Sequence, residues 1–101
     1  MRDIQDPLSE NSDAKAAEDK ARSRRLQEID DLKWLMGHAQ GRRIVTRIFE
    51  KTGIRRTPFN TNGSTMAFNA GMQNAGLWFE SEVLEASPDA FIKLLKAYTN
   101  E

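Results

Sequence analysis

Residues 64–84, STMAFNAGMQNAGLWFESEVL, decide the fold. Read as a helix, this stretch is apolar over most of its circumference. Phe68, Met72, Ala75 and Phe79 share one stripe, Met66, Ala70 and Leu77 lie beside it, and Ala67, Gly71 and Trp78 occupy the neighbouring one. A helix this apolar needs neighbours on more than one side. Gly71 and Gly76 each cost the helix about 1 kcal/mol relative to alanine, and the compensation expected is close approach by another helix or backbone. The stretch reads as the central helix of a small bundle whose structural core contains Trp34, Phe68, Gly71, Asn74, Gly76 and Trp78. A buried amide needs hydrogen-bond partners, so Asn74 is expected to tether neighbouring backbone such as the Asn60–Gly63 turn.

Working outward, Ser64 or Thr65 can cap the central helix. On its C-terminal side, Ser87-Pro88-Asp89 supplies an N-cap, a proline at the first helical position and an acid in the first turn of a last helix. Phe91, Ile92, Leu94, Leu95 and Tyr98 make that helix amphipathic. On the N-terminal side, IRRTPFNTNG (54–63) is a turn-rich connection in which Phe59 is expected to plug into the core. Before it, GRRIVTRIFEKT (41–52) spaces Ile44, Val45, Ile48 and Phe49 for one buried face, and Gly53 sits where a left-handed residue ends a helix. Ile29, Leu32, Leu35 and Met36 form an earlier helical stripe, broken where Gly37 and Gly41 bracket HAQ.

Residues 1–28 have few large apolar side chains and high helix propensity over 13–28, so they read as a flexible or helical charged arm. Residues 29–101 read as one compact helical domain, and the fold class is all-α, a small bundle of about four helices. A chain of 101 residues supports only a modest core, which oligomerisation or docking on a larger partner would reinforce.

The net charge of zero hides segregation. Residues 1–31 carry nine acids and six bases, residues 32–56 seven bases and one acid, and residues 57–101 five acids and two bases. The basic middle can pair with the chain's own acidic ends or serve an acidic partner. Cysteine is absent, which removes disulfides, thiolate nucleophiles and cysteine zinc sites. No stretch approaches the ~20 apolar residues of a membrane span, and the N-terminus lacks a secretory pattern, so the expected setting is inside a cell.

No catalytic or metal-ligating constellation emerges. His38 is the single histidine and has no Cys/His cluster around it, so a surface or interhelical hydrogen-bonding role is expected. The glycines around Gln40 lack the lysine and preceding strand of a phosphate loop. Glu82 and Glu85 share a face at the end of the central helix and read as a solvated edge. Arg42, Arg43, Arg47, Arg55 and Arg56, with Lys51, are the candidate contact residues, for a protein partner or for phosphate backbone.

Three blocks carry a resemblance: DLKWLM (31–36), GRRIVTRIFEKTG (41–53) and FNAGMQNAGLW (68–78). In order and spacing they resemble a family of short virion structural proteins of tailed bacteriophages, first named in a Bordetella podovirus. The F-x-x-G-x-x-N-x-G core of the third block (68–76) is its most specific part, and the likeness covers roughly residues 30–80. The resemblance implies a component of the phage particle or its assembly, made in the host cytoplasm and located in the virion. It implies no enzyme, cofactor or metal. Its partners would be other virion proteins at the portal or head–tail junction or among internal, ejected proteins, and a homo-oligomer is also compatible. The alternative is a small phage DNA-binding protein using the basic segment 33–56.

Overall fold

The computed structural model describes the backbone of residues 7–99 and the side-chain surroundings of residues 11–97. The first six residues of the expected arm, and the side chain of Tyr98, lie outside the described residues. Four helices follow one another: α1 Pro7–Met36, α2 Ala39–Thr52, α3 Gly63–Ala86 and α4 Pro88–Thr99, with no strand among the described residues. The all-α reading holds.

Helix α1 is one rod of 30 residues, about 45 Å long, with no division between arm and domain at residue 29. Between Leu8 and Met36 it contains neither glycine nor proline, so nothing in the backbone interrupts it. Residues 11–24 are all exposed.

The chain turns at Gly37 and His38. The Gly37 amide donates to the Lys33 carbonyl at 2.9 Å, and His38, extended at φ −120° and ψ 139°, occupies the N-cap of α2. Only the first of the two bracketing glycines breaks the helix. Gly41 lies inside the first turn of α2, where a Cβ would run into the Leu35 carbonyl; its bare backbone lets α2 fold tightly against the end of α1. Gly53 ends α2 in the left-handed conformation (φ 70°), donating to the Phe49 and Glu50 carbonyls.

The cap of α3 is Asn62, whose Oδ1 accepts from the Thr65 amide at 3.0 Å, and not Ser64 or Thr65. Asn60 explains the difference: its Oδ1 accepts from the Asn62 amide at 2.8 Å and fixes an Asx turn one step earlier. Ser87 serves both neighbouring helices. Its amide closes α3 on the Val83 carbonyl, and its own carbonyl receives the Phe91 amide as α4 begins.

The core is small. Met36, Val45, Phe49, Ile54, Val83 and Phe91 are buried together, with Leu32, Leu35, Phe79, Leu94 and Leu95 packed at its margin. Phe49 meets Phe79 edge to face, ring centroids 6.0 Å apart. Gly76 is buried where α2 ends: a Cβ there would collide with the side chains of Thr52 and Ile54. Two charged clamps complete the packing. Arg25 grips Glu82 with both guanidinium nitrogens (2.8 and 2.7 Å) and also reaches Glu85, and Arg55 pairs with Glu80. The acidic end of α3 thereby draws cations from α1 and from the connection before α3.

The molecule is an open slab. Its radius of gyration is 20.1 Å, against about 13 Å for a compact chain of this length. Its extents are 67 × 38 × 16 Å, so along its shortest axis it is about two helix layers deep. That shape corrects the expected core. Of the six residues assigned to it, only Gly76 is buried. Trp34, Phe68 and Trp78 are 67%, 67% and 64% exposed, Phe59 is 68% exposed, and Gly71 and Asn74 face solvent. The stripes are apolar as read, but in the isolated chain α3 is covered on two sides and open on the third.

The two central glycines should separate cleanly. Gly76→Ala forces overpacking that costs about 1–3 kcal/mol and exceeds the roughly 1 kcal/mol gained in helix propensity. Gly71→Ala meets nothing within 4 Å and should raise stability by up to about 1 kcal/mol. Urea unfolding at low protein concentration checks both signs. The Arg25 clamp gives a pH dependence. Hydrogen bonding to Arg25, partly opposed by burial, holds the Glu82 carboxyl below its ordinary range. A depressed carboxyl stabilises above its unfolded pKa and loses that contribution as pH falls through the folded value. The melting temperature of Glu82→Gln should therefore lie below wild type at neutral pH and converge with it below about pH 4.

Candidate functional site

Two surfaces stand out, one basic and one apolar. The basic surface is the outer face of α2. Arg43, Arg47 and Lys51 recur at every fourth residue and make one exposed row. Ile44 and Ile48 form a parallel exposed row beside it. The sequence reading placed these isoleucines in the core. The structure turns them outward because α2 is covered only along Gly41, Val45, Phe49 and Thr52.

The five arginines proposed for contact do not act together. Arg42 donates to the Met36 carbonyl at 2.9 Å and closes the end of α1. Arg55 is held by Glu80, and Arg56 donates to the Glu50 carbonyl at 2.8 Å, capping the end of α2. Arg43 and Arg47 alone of the five make no side-chain ion pair or hydrogen bond among the described residues. Half of the basic excess is therefore structural.

The apolar surface is the open side of α3, carrying Met66, Ala67, Gly71, Leu77, Trp78 and Leu84. Trp34 is exposed on α1, its indole 4.7 Å from the His38 ring. The His38 Nδ1 lies 2.6 Å from the Trp34 carbonyl, so that nitrogen carries the proton and donates. This is the hydrogen-bonding role expected for His38. A shallow groove beside the connection is lined by Lys51, Arg56, Pro58, Phe68, Asn69 and Met72.

Tethering of the connection falls to amides other than Asn74. Gln73 Nε2 donates to the Arg56 carbonyl at 2.8 Å and the Gly53 carbonyl at 3.3 Å, and Asn69 reaches the Pro58 carbonyl at 3.4 Å. The sequence signal was present, an amide-rich run on one helix, but of its three amides Asn69 and Gln73 share the face toward the connection while Asn74 points to solvent. Arg25 was missed altogether, because its partners lie 57 and 60 residues away.

No helix among the described residues is long and apolar enough to cross a membrane. No curated protein and no solved structure matches the chain. A family match does exist, over residues 32–96. It begins near the end of α1, takes in α2, the connection and α3, and runs into α4. All three blocks that carry the resemblance fall within it but for Asp31, and so do both exposed surfaces. The chain belongs to the family of Bbp19-like phage proteins.

Proposed function

We propose that this phage protein is a structural component of a tailed-phage virion, of podovirus type, that docks by helix packing on other virion proteins. The observation that carries this reading is the mismatch between apolar content and burial. Four large aromatic side chains, Trp34, Phe59, Phe68 and Trp78, are more exposed than buried in a thin, extended molecule. Phe68 and Trp78, with Met66, Leu77 and Leu84, leave α3 with an exposed apolar side, and such patches mark contact sites. The portal or head–tail junction and the internal, ejected proteins are the environments that supply broad partner surfaces. The exposed stretch 11–24 of α1 acts as an arm, its helix reinforced on contact with a neighbour. The role needs no reaction centre, and catalysis forms no part of it.

Mass spectrometry of purified particles of the parent phage tests the assignment. The chain should be found at a fixed stoichiometry to the portal or capsid protein after gradient purification. Its absence from particles, with the protein abundant in the infected lysate, would sink the virion role.

The row Arg43–Arg47–Lys51 favours a second reading, contact with the phosphate backbone of duplex DNA. That reading expects binding that weakens steeply with salt and is lost in the combined Arg43→Gln, Arg47→Gln, Lys51→Gln variant. With three cations in the row, the slope of log K against log salt should be about −3. Absence of binding to duplex DNA at low salt removes it.

A further inference from the structure

We propose that the groove between the end of α2 and the first half of α3 holds one unpaired base of a single-stranded nucleic acid, whose phosphates run along Arg43, Arg47 and Lys51. The inference rests on the basic row that the DNA reading uses and narrows its ligand: the strand is single, and a base is bound along with the backbone. The groove has a volume of about 230 Å³, and its lining includes Lys51, Arg56, Pro58, Phe68, Asn69 and Met72. That is below the roughly 300–1,000 Å³ of a site for a drug-sized ligand, so it takes a fragment of the order of one planar ring system.

The row and the groove are one surface. Lys51 ends the row and lines the groove, and with Arg56 it also lines the shallow surface over Ile44, Arg47 and Ile48. Successive cations of the row stand about 6 Å apart along α2, so the row leads into the groove over about 12 Å. These cations are unspent. Arg43, Arg47 and Lys51 make no side-chain ion pair or hydrogen bond among the described residues, and Arg56 gives one bond, to the Glu50 carbonyl. No acid lines the groove, and Glu50 is the one carboxylate lining the surface over the isoleucines.

Phe68 supplies what phosphate contact alone does not need. It stands in the groove wall, 67% exposed, and no other ring packs on it among the described residues. An aromatic face beside an unpaired ammonium is the combination that binds single strands: the base stacks on the ring while the cation holds a neighbouring phosphate. Asn69 adds an amide to the same wall. Its Nδ2 reaches the Pro58 carbonyl at 3.4 Å, which leaves its Oδ1 to accept from a base edge. The opposite wall is held in place beforehand, because Gln73 binds the Gly53 and Arg56 carbonyls.

A duplex suits this surface less well. Its bases are paired and stacked, so none reaches Phe68 without being flipped out. Readout within a duplex groove calls for amides or guanidinium groups aimed at base edges, whereas α2 sets Ile44 and Ile48 beside its cations. Unpaired bases present apolar faces that such side chains can cover.

Fluorescence anisotropy of labelled oligonucleotides titrated with the full chain tests this. The probes are an oligothymidylate of about 12 nucleotides, and an oligouridylate, an abasic oligomer and a duplex of the same length. Oligothymidylate should bind more tightly than the duplex and about fivefold or more above the abasic oligomer. Phe68→Ala should weaken oligothymidylate binding about five- to hundredfold with the salt slope unchanged, because stacking releases no counterions. Phe68→Trp should restore it, and Phe68→Ala should leave abasic binding as it was. Arg47→Gln combined with Lys51→Gln should instead reduce the slope of log K against log salt by about 1.4. Trp78→Ala, as exposed but further along α3, should change none of this. Circular dichroism of each variant verifies that the helices are intact. The oligouridylate arm tells which sugar the site takes, and tight binding of either single strand supports it. Oligothymidylate binding that Phe68→Ala leaves unchanged overturns the proposal, as does tighter binding of the duplex, and both leave the duplex reading standing. Absence of binding to every probe at low salt removes both.

Discussion

The close approach of the end of α2 to Gly76 is the contact on which the remaining arrangement depends. Where Thr52 and Ile54 press on bare backbone, α3 comes near enough for Gln73 to reach the Gly53 and Arg56 carbonyls. Those bonds fix the start of the connection, which brings Arg55 to Glu80. Ile54 also enters the core beside Phe49 and Phe91. One missing methyl group thus couples two helices, a loop and an ion pair. Such coupling matters where the fully buried large side chains among the described residues are only Met36, Val45 and Val83.

The helices and most of their ends were legible in the sequence because their causes are local. Gly53 ends α2 through its own positive φ, and Ser87-Pro88 opens α4 through one carbonyl and one fixed dihedral. Burial was not legible to the same degree. Periodicity shows that Phe68 and Trp78 lie on apolar stripes; it does not say whether the same chain covers them. Gly71 and Gly76 look equivalent in sequence and have opposite surroundings, one open and one crowded. Asn74 drew the tethering role that belongs to Gln73 because the two differ by one residue, about 100° around the helix.

Charge followed the same division between local and distant causes. The basic excess of residues 32–56 is evident from composition, yet its distribution over tasks is a tertiary fact. Arg42 and Arg56 cap helix carbonyls and Arg55 neutralises Glu80, which leaves Arg43, Arg47 and Lys51 outward on α2. Arg25 performs the reverse service, bringing a cation from the acidic N-terminal third to the acidic end of α3. These pairs are partly exposed, so their value lies more in orienting α1 across α3 than in net stability.

A small phage chain that must assemble meets two opposed demands. Filling its own core would use the aromatic residues that an interface needs, and leaving them outward thins the core toward marginal stability. Here the compromise is spatial. The close-packed contacts gather around Gly76, Val45 and Val83, while α3 turns Trp78 and Gly71 away from them. A residue that costs helix stability and touches nothing is hard to explain within one molecule. It is simple to explain if the open side of the helix gains a neighbour only when the chain is assembled.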